Sequence, residues 1–174
     1  MSGKTENVTS GAAGLAGKYM TFRLASEVYG LEILKVRELI GLLEITRIPL
    51  APAHVRGVIN LRGKVIPVID LRRKFELEPI DATSQTVIIV VQLAAESGGL
   101  TMGILVDEVL EVRAIGAGDI EAPPNLQGQA AASFILGVGK AEKHVIFLLD
   151  IDRVLGPDVR SAAVELPPVP TLGA

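Results

Sequence analysis

Two carboxylates, Asp70 and Asp150, stand eighty residues apart, each at the end of an apolar run: Val65-Ile66-Pro67-Val68-Ile69 and Val145-Ile146-Phe147-Leu148-Leu149. Paired carboxylates can divide general acid and general base work. Here, however, the residues that follow are also alike, Leu71-Arg72-Arg73-Lys74-Phe75 and Ile151-Asp152-Arg153-Val154-Leu155. An Asp directly ahead of a short amphipathic stretch is an N-cap, its carboxylate accepting from the first free N–H groups of a helix. Both are therefore predicted to cap helical turns. Glu38 and Glu111 form a second matched pair, each two residues after a valine, Val36 or Val109. For these, a solvated strand end and an interaction surface are both open readings. His54 and His144 lack a second His or Cys at ligand spacing, so no metal site is expected. None of the four Gly-Lys pairs sits in a phosphate-binding G-x-x-x-x-G-K-[ST] frame, and no G-x-S-x-G elbow occurs. The expectation is a chain with no catalytic residue and no cofactor.

The matched carboxylates belong to a longer repeat. Val55–Leu71 reads VRGVINLRGKVIPVIDL and Ile135–Ile151 reads ILGVGKAEKHVIFLLDI. Gly57, Val58, Val65, Ile66 and Asp70 recur as Gly137, Val138, Val145, Ile146 and Asp150. The front halves match at an offset of 73: Gly30, Leu31, Ile33, Val36 and Glu38 against Gly103, Ile104, Val106, Val109 and Glu111. Copy two thus carries seven extra residues, assigned to a loop around Ala122–Leu126. An internal repeat implies two copies of one structural unit. Where the copies diverge, Asn60–Lys64 against Lys140–His144, a function peculiar to one copy is to be sought. Arg62 lies there beside Gly63, on a predicted hairpin, as an anchor for a carboxylate or carbonyl of a partner. The plain alternative is an exposed hairpin arginine. The basic run Arg72-Arg73-Lys74 reads as the solvated face of its short helix.

Period-two alternation in Met20, Phe22, Leu24 and in Tyr29, Leu31, Ile33 predicts a hairpin. Val87–Val91 and Met102–Val106 predict another. About five short strands and one helical turn per copy make a small closed barrel, which leaves no free sheet edge. The expected fold class is all-β, two barrels side by side. The first is placed at about 18–80 and the second at about 85–156, between a disordered tail (1–17) and a Pro-rich tail (157–174). With 18 residues after Gly156, no receiver domain is expected to follow.

Composition narrows the function classes. Hydrophobic residues make up 49% of the chain and aromatics 3%, so aliphatic side chains must fill the core. A net charge of −3 and scarce aromatics argue against nucleic acid, which basic patches and stacking rings bind. The absence of Cys leaves neither disulfide nor thiolate chemistry. No apolar run is long enough to cross a bilayer, and no secretory signal is evident. A soluble, cytoplasmic protein is the expectation.

With Gly57–Leu71 (GVINLRGKVIPVIDL), Tyr29–Glu38 (YGLEILKVRE), Thr46–Pro49, Gly103–Asp107 and Phe134–Gly139 in order, the chain resembles the CheW family of chemotaxis coupling proteins across roughly residues 18 to 156. The resemblance implies a fold of two SH3-like five-stranded barrels and a non-catalytic adaptor. It also implies two partners, the cytoplasmic tip of a chemoreceptor and the regulatory domain of the histidine kinase CheA, at membrane receptor arrays. Val36, Glu38, Gly57 and Arg62 fall on family positions associated with coupling, and Val109 and Val112 are expected to line the second side of the inter-barrel groove. Substitution of Gly57 by Asp is expected to weaken coupling with the fold intact. The alternative output is a non-chemotactic array controlling surface motility or a second messenger.

Overall fold

In a computed structural model, which describes residues 14–94, 99–122 and 134–156, the alternating stretches are strands. The first half carries β1 (Gly17–Leu24), β2 (Glu27–Glu32), β3 (Val36–Gly41), β4 (Val55–Leu61), β5 (Lys64–Asp70) and the short helix α1 (Leu71–Lys74). The second carries β6 (Val87–Gln92), β7 (Thr101–Val106), β8 (Glu108–Ile115), the two-residue β9 (Ile120–Glu121), β10 (Ile135–Ala141) and β11 (His144–Leu149), followed by a helical segment at 151–156. Both predicted caps are present. Asp70 Oδ1 accepts from Arg72 N (3.0 Å) and Arg73 N (3.4 Å), and Asp150 Oδ1 from Arg153 N (3.2 Å). The Pro-rich tail and the loop expected to hold the extra residues lie outside the described residues, save Ala122. β1 starts at Gly17 and Leu15 packs on a core cluster, so these residues are structured where the sequence implied a disordered stretch. Among the described residues no helix is long and apolar enough to cross a membrane.

The strands form two sheets, β3-β6-β7-β5-β4 and β8-β1-β2-β11-β10-β9, each curled into a small barrel. The division at residues 80–85 is corrected by this order. Each copy lends its first hairpin to the other: β1–β2 docks β2 parallel to β11, and β6–β7 docks β7 parallel to β5. The outer strands of the hairpins, β1 and β6, then pair antiparallel with β8 and β3. The correspondence continues at the seams. Thr46 bridges Val58 in the first barrel just as β9 pairs with Val138 in the second.

The exchange explains why β6 and β7 read as near-unbroken apolar runs. Alternate residues fill two different cores, so both faces are buried. In β6, Ile88 and Val90 point into the first barrel with Ile59, Ile66 and Val68, while Ile89 and Val91 point to a central cluster. Tyr19, Ile115, Ile146 and Leu148 fill the second barrel. The central cluster, with Phe22, Leu24, Leu31, Met102, Ile104, Leu149, Val154 and Leu155, is the largest and draws on both sheets. It locks the barrels against each other.

Candidate partner-binding surface

Arg62 and Gly63 form the tip of the β4–β5 hairpin with φ of 52° and 86°. Two consecutive positive φ values are the signature of a type I′ turn, whose twist matches that of paired strands. Asn60 Oδ1 braces the turn by accepting from Gly63 N at 2.9 Å. The turn sends the Arg62 side chain, 70% exposed, over to Glu38 on β3, where its Nη2 pairs with Oε2. That carboxylate hydrogen bond holds the guanidinium pKa above its already high value. The pair ties the hairpin tip to an edge strand and leaves the rest of the guanidinium fork facing solvent.

Val36, the first residue of β3, is half-buried and packs against the central cluster; Val109 in β8 does the same from the other sheet. The repeat makes them equivalents: Val36 pairs with Val91, and Val109 with Phe22, each beside a register shift in an edge strand. Val112 stands 47% exposed on β8. Its repeat equivalent is Leu39, 41% exposed on β3 and absent from the sequence-based set. The offset of 73 that pairs Val36 with Val109 pairs these two as well, so the signal was there. Leu110 on β8 and Leu34 in the turn before β3 are further exposed apolar residues. The structure thus joins Glu38 to Arg62 and sets Val36 and Val109 on one core. It leaves Val112 apart from the Arg62 tip, on the other barrel.

Gly57 has a different character from the one its sequence suggested. Its φ is +142°, and a Cβ built there would overlap the Thr46 carbonyl oxygen and lie 2.7 Å from its carbon. The close approach it permits is therefore internal, β4 against the seam residue that closes the first barrel. The expectation that Gly57→Asp leaves the fold intact is overturned by this contact. Gly137, its equivalent, faces the Glu121 carbonyl oxygen at 3.0 Å across the second seam.

A cavity of about 670 Å3 opens between the 42–53 loop and the 79–82 segment. Its charged lining is largely paired off: Arg56 and Arg73 reach Asp70 at 3.4 and 3.7 Å, and Arg72 clamps Asp107. This also corrects the reading of Arg72 as solvated, since it is 13% exposed. Among the described residues no three His, Asp or Glu side chains are grouped to hold a metal.

The family profile described as a CheW-like domain matches residues 18–158. The chain is similar to the chemotaxis protein CheW of Klebsiella aerogenes, 35% identical over 141 residues that span 81% of this chain and 82% of that one. It is similar to the chemotaxis protein CheW of Rhizobium meliloti, 32% identical over 94% of this chain and all of the other. In structure it resembles the scaffolding protein TtCheW from Thermoanaerobacter tengcongensis, with a TM-score of 0.70 and 37% identity across 78% of this chain and 89% of that one. Matched by that profile and along most of its length by these relatives, the chain belongs to the CheW family.

Proposed function

We propose that this chain is a non-catalytic adaptor that joins the cytoplasmic tips of chemoreceptors to the histidine kinase CheA. The observation that carries the reading is the CheW-like match over residues 18–158 on two barrels fixed to each other by a shared core. An adaptor must hold two docking faces at a set angle, and a common core does that better than a linker. A receptor tip is helical, and a helix docks by its apolar stripe into an aliphatic groove with a charged rim. Val36 and Val109 supply half-buried aliphatic surface, Val112 an exposed apolar side chain, and Glu38 with Arg62 a charged rim. Gly57 contributes indirectly, by seating β4 so that the Arg62 tip reaches Glu38.

The test is co-sedimentation of CheA with receptor-bearing membranes. The kinase is expected in the pellet only when this protein is present, and recruitment is expected to fall for Val36→Ala and Arg62→Ala. Kinase that pellets equally without the protein would refute the adaptor role. A pull-down that returns a different kinase and receptor set, governing motility on surfaces or a second messenger, would keep the adaptor and change its output.

A further inference from the structure

Arg72 in α1 and Asp152 in the 151–156 segment hold the same place in their copies, two residues after the capping Asp70 and Asp150, yet carry opposite charges. Arg72 donates to Asp107 through Nε (2.7 Å) and Nη2 (2.6 Å), and Asp107 also accepts from Ala25 N (2.8 Å) in the β1–β2 turn. In the other copy Asp152 accepts from Lys35 Nζ (2.7 Å) and from Ala94 N (2.8 Å), just after β6. Asp107 sits where β7 crosses to β8, and Lys35 where β2 crosses to β3. One strut between the barrels is thus built twice, with its polarity reversed. The first has a basic helix and an acidic crossing; the second has an acidic helix and a basic crossing. All four side chains are largely covered, with exposures of 13% for both Arg72 and Asp107, 27% for Lys35 and 17% for Asp152.

We propose that this reversal decides which hairpin completes which barrel. A duplicated chain has a competing topology, in which each hairpin docks on the last strand of its own copy. The central cluster does not reject it, because Phe22, Leu24 and Leu31 of one hairpin and Val91, Leu93 and Ile104 of the other feed that same cluster. The charges do. In the unexchanged arrangement the β2–β3 crossing takes the place of the β7–β8 crossing, which brings Lys35, one residue past Asp107's repeat equivalent Leu34, beside Arg72 and Asp107 beside Asp152. Two covered like-charge pairs would replace two opposite ones, which is discrimination by penalising the wrong partner.

Four full-length proteins of identical composition and net charge test this. They are the parent, the crossing swap Lys35→Asp/Asp107→Lys, the helix swap Arg72→Asp/Asp152→Arg, and all four substitutions together. Each double swap is expected to lower the urea midpoint by on the order of 1 M, and the quadruple to recover most of it. Topology is read separately with Val28→Cys/Ile146→Cys, whose positions pair between β2 and β11, in a chain with no other cysteine. The oxidised crosslink is expected in the parent and the quadruple and lost in both double swaps. Double swaps that keep the parent midpoint and crosslink as fully as the parent, or a quadruple that regains neither, would overturn the proposal. So would double swaps that are weakened but crosslink as fully as the parent, since the pairs would then stabilise without choosing.

Discussion

Asp107 accepts two hydrogen bonds from one guanidinium and a third from a backbone N–H, and the balance at this residue sets a pH dependence. Burial alone pushes its carboxyl up, but Arg72 and the Ala25 N–H outweigh that and hold it below the usual carboxylate range. A carboxyl depressed by folding contributes its stability in full above the unfolded value of about 3.9 and loses it as pH falls below that. Lys35 has the opposite sign. The hydrogen bond to Asp152 raises it against the effect of burial, so its contribution is complete below about 10.4 and lost as pH climbs past it. Asp107→Asn is expected to cost about 2 kcal/mol at neutral pH and to flatten the acid limb of a urea-midpoint profile. An acid limb as steep as the parent's would assign that limb to other carboxylates. Glycine 57 acts by space instead of charge. Gly57→Ala is expected to cost about 3 kcal/mol, because its Cβ meets backbone that cannot swing aside. Gly63→Ala, with open space around it, is expected to cost only the 1–2 kcal/mol or so of a left-handed residue. Equal losses at the two sites would show that conformation, not the Thr46 contact, sets the cost.

The β4–β5 hairpin lets fold and the proposed coupling role be tested apart within one element. Arg62 occupies a left-handed position that Asn adopts more readily, so Arg62→Asn is expected to keep thermal stability within about 0.5 kcal/mol while abolishing the Glu38 pair and weakening kinase recruitment. A variant that recruits kinase like the parent would remove Arg62 from the coupling set. Elements of this kind were legible in the sequence because they are local: alternation in Met20-Phe22-Leu24 gave β1, and an Asp before an amphipathic turn gave each cap. The hairpin exchange was not legible, since a repeat says that two units are alike and nothing about which unit a strand joins. Arg72 was misread for the same reason. Its partner Asp107 is 35 residues away and comes beside it only because β7 docks on β5. Of the site, Glu38 and Arg62 were each marked out by the repeat but nothing in the sequence placed them together, whereas Leu39 could have been found by carrying Val112 back through the repeat.

At the scale of the whole molecule, the exchange makes two barrels into one cooperative body. Each barrel's private cluster is small, and the larger central one takes side chains from β1, β2, β5, β6, β7 and β11 together. Neither barrel can lose its borrowed hairpin without opening its own wall and the shared core at once. A truncation in the centre is therefore felt on both sides. Phe22, fully buried and stacked near Tyr29 at 5.8 Å between ring centroids, lies in β1 of the second barrel but packs in that common core. Phe22→Ala is expected to cost about 3–5 kcal/mol and to speed amide hydrogen exchange equally in β4–β5 and in β10–β11, the hairpins farthest along each sheet from the substitution. Exchange that accelerated in β10–β11 alone, leaving β4–β5 at parent rates, would mean the barrels open independently. The angle between two docking faces would then be set by something softer than a core, and an adaptor built on it would transmit correspondingly less.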